Sequence, residues 1–160
     1  MKNKIIQVNY KEGADINAFD VQTKDLIEQT IAFSKNAYAP YSNFHVSACL
    51  ILDDGAVIKG TNVENASYPV SICAERTLLS HTVSNYPDNK IVKIAIYVDR
   101  ELSEPVSPCG VCRQTLLEVE KRQDQEIEVI LISKLETSRT YIVFERCSDL
   151  LPLYFDGEVL

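Results

Sequence analysis

The chain has 160 residues, enough for one domain over residues 1–160 that buries roughly two-thirds of its unfolded surface without disulfide staples. Hydrophobic residues make up 46% and charged residues 24%, which places it with globular rather than disordered chains. The net charge of −7, with no Lys/Arg block, argues against a polynucleotide partner and leaves small molecules as the better candidates.

The N-terminal "MKNKIIQVNYKEGAD" has a short basic start and no apolar core of signal-peptide length. No apolar run approaches the length of about 18 residues that spans a bilayer. The expected compartment is the cytoplasm, with no membrane partner.

Apolar positions Leu26, Ile27, Ile31, Phe33 and Ala37 recur at helical spacing between Asn17 and Tyr38, and Pro40 ends that pattern. Alternation from Phe44 to Leu52 predicts a strand. "DDGA" at 53–56 is a hairpin signal, and a second strand follows over Val57–Val63. "ICAERTLLSHTV" reads as a second helix, and "KIVKIAIYV" as a strand buried on both faces. "SPCGVCRQTLLEVEK" opens a third helix. "IEVILIS" and "TYIVFE" are further strands, before a short final turn or helix in "CSDLLPLYF". The order α-β-β-α-β-α-β-β predicts an α/β fold, a three-layer α/β/α sandwich around one mixed sheet of about five strands.

Five cysteines form an odd set, unlike a disulfide framework. Cys49 and Cys147 lie in apolar contexts and read as buried free thiols. Cys109 and Cys112 form a CxxC behind Pro108, at a predicted helix start. Such a pair can be a zinc half-site, a dithiol redox centre or chance. A redox CxxC normally follows the first strand of a thioredoxin-like unit, whereas this one comes late in the chain.

Cys73 supplies a third thiol at another predicted helix start, and no further Cys or His has suitable spacing. His45 and His81 read as surface or satisfied polar residues. Structural zinc takes four protein ligands, while catalytic zinc takes three and leaves a position for water. Zn²⁺ with three thiolates carries a net charge of −1. Two helix N-termini would offset it, and Arg76 could add a positive charge beside the sulfurs. Glu75, two residues past Cys73, is then a candidate proton shuttle.

C-A-E followed by P-C-x-x-C is a cysteine variant of the zinc nucleobase deaminase pattern. "YSNFHVSACL", "GTNVENASYPVSICAERT", "SPCGVCRQ" and "DLLPLYF" resemble, in order, the successive blocks of the small cytidine deaminases. The resemblance implies hydrolytic conversion of cytidine and deoxycytidine to the uridines in pyrimidine salvage, with ammonia released. It implies one Zn²⁺ per subunit on Cys73, Cys109 and Cys112, with Glu75 protonating N3 of the base. Asn62 and Glu64 would hold the ribose hydroxyls, Phe44 would pack near the nucleoside and the Ala66 backbone would meet the base. Phe155 would stack on the ring in a neighbouring subunit's site. The cysteine-only ligand set resembles the homotetrameric branch, whose sites lie at subunit interfaces.

Ser47 and Cys49 depart from the family's usual Gly and Ala, small for small, and the segment before Tyr38 is longer than in many members, which makes residues 1–15 an extra N-terminal arm by that resemblance. The rival readings are a deaminase of an aminoacylnucleoside antibiotic, a silent zinc-binding homologue, and a thiol-disulfide enzyme.

Overall fold

The computed structural model describes residues 1–135 and 138–159. Six strands form one sheet: β1 (Lys11–Gly13), β2 (Val46–Leu52), β3 (Val57–Thr61), β4 (Ile91–Glu101), β5 (Glu128–Lys134) and β6 (Tyr141–Phe144), in the order β1-β6-β5-β4-β2-β3. Three helices cover it: α1 (Val21–Phe33), α2 (Ala74–Asn85) and α3 (Gly110–Gln123). Among the described residues, the only parallel strand pair is β4–β5, whose crossover is α3. The other four strand pairs are antiparallel.

Strand alternation sorts the core into two layers. Ala48, Leu50, Ile94, Ile96, Val129 and Leu131 face α2 and α3, packing with Ala74, Leu78, Leu79 and Leu116. The intervening Cys49, Ile51, Ala95, Tyr97, Ile130 and Ile132 face α1 through Leu26 and Ile27. Side chains of a strand point alternately to its two faces, so a doubly covered sheet needs apolar residues at every position. The α/β/α sandwich is therefore as expected.

The strand count is not: six strands stand where about five were expected. The extra one, β1, lies within the segment read as an arm, pairing Lys11 with Val143 and Gly13 with Tyr141. Three residues reading Lys-Glu-Gly carry no apolar alternation, so local sequence could not announce it. Tyr10 packs on Phe144 beside it, with ring centroids 5.6 Å apart.

The β2–β3 turn uses Gly55 at φ 87°, a left-handed conformation that suits glycine. Helix α1 is shorter than the pattern from Asn17 to Tyr38, with 3-10 turns at Ile16–Ala18 and Ser34–Asn36 taking up its ends. Among the described residues, no helix is long and apolar enough to cross a membrane.

Candidate active site

Cys73 is the N-cap of α2, with extended φ −72° and ψ 154°. Cys109 is the N-cap of α3 in nearly the same conformation, φ −65° and ψ 165°. An N-cap side chain projects past the helix end, and the first turn offers free N–H groups with partial positive charge. Two such ends converge here. Cys112, one turn into α3, completes a cluster whose three sulfurs lie within 4.8 Å of one another. The Cys109 and Cys112 sulfurs are 3.5 Å apart.

Zn–S bonds of about 2.3 Å in a tetrahedron place sulfurs just under 4 Å apart, so the three thiols suit zinc. They meet without a fourth cysteine or histidine among the described residues. Burial raises the Cys73 thiol, helped by the negative charges of Glu75 and Cys109. Burial and Glu75 also push Cys112 far up. Burial would raise Cys109 too, but hydrogen bonds with the backbone N–H and thiol of Cys112, the Val111 N–H and the Cys73 thiol together outweigh it and hold that thiol below its ordinary value. Cys49 and Cys147 are buried free thiols, as expected.

Glu75 sits in the first turn of α2 and is 5% exposed. Burial raises its carboxyl above the usual carboxylate range. It lines a cavity of about 270 Å³ shared with Cys73 and Cys109. Phe44, Asn62 and Glu64 line the same cavity, so sequence-distant residues meet around one space.

Two bridges place Asn62 and Glu64. Val63 pairs with Ile72 through reciprocal backbone bonds of 3.0 Å, drawing the loop between them back to the residue before Cys73. Tyr38 pairs with Val63 on the other side. The Asn62 amide then acts as an extra ladder rung: Oδ1 accepts from Val46 N at 2.9 Å and Nδ2 donates to Phe44 O at 2.8 Å. The Glu64 carboxylate accepts from the Ser42 hydroxyl and from Tyr41 N at 2.9 Å. The Ser42 hydroxyl chiefly holds that carboxyl below its ordinary range.

Three expected residues lie off this cavity. Ala66 is exposed in the loop beyond Glu64. Phe155, 60% exposed, lies beyond the 3-10 turn Cys147–Leu150. Arg76 is half-buried, and its side chain makes no hydrogen bond or ion pair to a protein group among the described residues. His81 is exposed and bonds Asn85, in keeping with a surface role.

Sequence reasoning missed Tyr68, Ser71 and the Val106–Pro108 segment, which complete the cavity wall. It also missed Arg113, which bonds Ser107, Pro108 and Leu150. Its place directly behind the CxxC was the available signal.

A three-thiol cluster on two helix starts, beside a buried carboxylate in an α/β/α sandwich, fits the zinc site of the deaminase class. The family model for the cytidine and deoxycytidylate deaminase zinc-binding region matches residues 20–124, and the chain belongs to that family. The cytidine deaminase of Halalkalibacterium halodurans is 45% identical over 94 residues, which span 59% of this chain and 69% of that one. The crystal structure of cytidine deaminase from Burkholderia pseudomallei is 40% identical, with a TM-score of 0.69 over 82% of this chain and 97% of that chain. That of Mycobacterium tuberculosis is 29% identical, with a TM-score of 0.64 over 86% of this chain and 99% of that one.

Proposed function

We propose that residues 1–160 fold as one domain that hydrolyses cytidine and deoxycytidine to uridine and deoxyuridine, releasing ammonia, in cytoplasmic pyrimidine salvage. The observation that carries this reading is the buried Glu75 carboxylate facing the same 270 Å³ cavity as the Cys73 and Cys109 thiols. Cys73, Cys109 and Cys112 hold one zinc ion per subunit. The metal, when bound, supplies a Lewis-acidic position that acidifies water for the attack.

Glu75 takes a proton from the attacking water and delivers it to N3 of the cytosine ring. Water oxygen bonds to C4, the C4–N bond breaks, and the second proton from water leaves with the amino group as ammonia. A carboxylate held away from bulk water by α2 and the cavity wall returns each proton to the substrate rather than to solvent.

Asn62 and Glu64 face the ribose. Both are fixed in orientation by the 41–46 backbone, so little freedom is lost when a sugar hydroxyl joins them. Phe44 packs beside the nucleoside, the Ala66 backbone meets the base, and Arg76 moderates the charge on the thiolates. Phe155 belongs to the site of a neighbouring subunit in a homotetramer. Exposed Tyr68, Val70, Val111 and Leu153 supply apolar surface for that assembly.

Purified Glu75→Gln should retain one zinc per chain while losing cytidine turnover followed by ultraviolet absorbance. Wild-type-like turnover would remove Glu75 as the shuttle. A wild-type protein that holds zinc and leaves cytidine unchanged would instead be a silent homologue.

A further inference from the structure

Helix α3 does more than present two cysteines. Directly behind Cys112, the Arg113 guanidinium uses three donors on three acceptors. Nε donates to Pro108 O at 2.8 Å, one NH2 group to Ser107 Oγ at 2.9 Å, and the other to Leu150 O at 3.0 Å. The first two acceptors belong to the segment that ends in Cys109 and forms a wall of the cavity. The third closes the 3-10 turn from which the C-terminal segment departs. A guanidinium holds its donors in a rigid plane, so the two segments cannot shift independently while all three bonds persist.

The next residue continues the contact. Gln114 Nε2 donates to Phe155 O at 2.9 Å. Two turns along α3, Lys121 lies 5.2 Å from the centre of the Tyr154 ring. Between Leu150 and Phe155 the chain has little other support: Leu153 is 89% exposed and sits at φ 55°, unusual for a branched residue. The path of this segment is therefore set from α3.

We propose that Arg113 and Gln114 are positioning residues that tie the cysteine-bearing end of α3 to the C-terminal segment. Metal binding at Cys109 and Cys112 thereby orders the backbone that carries Phe155. The link itself needs only the contacts above; its importance for turnover rests on the reading that Phe155 contributes to a nucleoside site. Arg113 touches no reacting atom, and its effect on chemistry passes through Pro108 and Leu150.

The test is hydrogen exchange of the full chain, with zinc bound and after chelation, reading the amides of Asp149 and Leu151, which donate to Arg146 O and Ser148 O on either side of the residue whose carbonyl Arg113 holds. The β2–β3 turn serves as the distant reference. In the wild type, zinc should slow exchange at these two amides about fivefold relative to that turn, the scale of one hydrogen bond. Arg113→Lys keeps the charge but not the fork, and should abolish the zinc-dependent difference. Gln114→Ala, which frees the Phe155 carbonyl from α3, should reduce it while zinc stoichiometry stays at one. A wild-type segment indifferent to zinc, or an Arg113→Lys protein with undiminished coupling, overturns the proposal. Phe155→Ala distinguishes the two readings: wild-type KM and kcat there would remove Phe155 from the nucleoside site and leave the exchange result standing.

Discussion

Gly60 of β3 lies directly beneath Leu78 of α2. A Cβ at position 60 would stand 2.9 Å from Leu78 N, Leu78 Cβ and Ala74 O. Two of those atoms are helix backbone, so nothing flexible can give way. The absence of a side chain at Gly60 is what lets the first turns of α2, with Cys73 and Glu75 at their head, settle onto the sheet.

Gly60→Ala should therefore displace α2 and cost about 1–3 kcal/mol, the usual range for overpacking a close contact. Zinc retention should weaken with it, because Cys73 moves while Cys109 and Cys112 stay on α3. Denaturant unfolding and zinc titration of the same sample check both effects. A variant unchanged in both would mean the helix can ride outward without disturbing its N-terminus.

Metal removal should separate the five cysteines by reactivity. Cys109 is exposed and Cys73 half-buried, whereas Cys49, Cys112 and Cys147 are buried. In the folded, chelated protein a thiol reagent should label Cys109 and Cys73 first, with Cys49 and Cys147 reacting only on unfolding. Zinc should suppress the early labelling. Peptide mapping of the modified sites reads the order directly, and early labelling of Cys49 would contradict its place beneath α1.

Much of this site is legible in the sequence because its chemistry is carried by local patterns. CxxC behind a proline marks a helix start, and Cys73 with Glu75 makes sense only if Cys73 also caps a helix. Both cysteines are indeed N-caps. What is not legible depends on contacts made at long range. Asn62 and Glu64 carry no local pattern of their own, and their fixed orientation comes from Phe44, Val46, Tyr41 and Ser42 across the Tyr38–Val63 bridge. Strand β1 is likewise specified by its partner β6 rather than by its own three residues. Arg113 could be seen beside the CxxC, but its hold on Leu150, 37 residues on, could not.

Glu120 is a second long-range device with a stability consequence. Its buried carboxylate accepts from Ile127 N at 2.9 Å, Cys147 N at 2.6 Å and Ser148 N at 3.0 Å. It thus joins α3 to the start of β5 and to the turn that leads into the C-terminal segment. Glu120→Gln turns one acceptor into a donor facing an N–H group and should cost about 1–3 kcal/mol. Glu120→Ala strands all three N–H groups and should cost more, about 3 kcal/mol or above. Denaturant midpoints at constant slope measure both. A Gln variant within about 0.5 kcal/mol of wild type would show that water takes over these bonds.

The last prediction concerns acid. Asp20 is the N-cap of α1: one carboxylate oxygen accepts from Thr23 N at 2.8 Å, the other from Thr23 Oγ1 at 2.8 Å and Lys93 Nζ at 3.2 Å. The Thr23 N–H bond, followed by its hydroxyl, lowers the Asp20 carboxyl from 3.8 to about 2. A carboxyl depressed in the folded state stabilises it fully above the unfolded value, and that contribution is lost as pH falls through the folded value. Asp20→Ala should therefore cost about 1 kcal/mol at neutral pH, as for other N-cap deletions. The difference between the two proteins should hold down to pH 4 or so, then shrink as pH approaches about 2, where Asp20 protonates in the folded chain. Urea unfolding of both proteins across this range isolates Asp20 from the other carboxyls, which titrate in each. A difference that stayed constant down to pH 2 would assign the cap's effect to shape rather than charge.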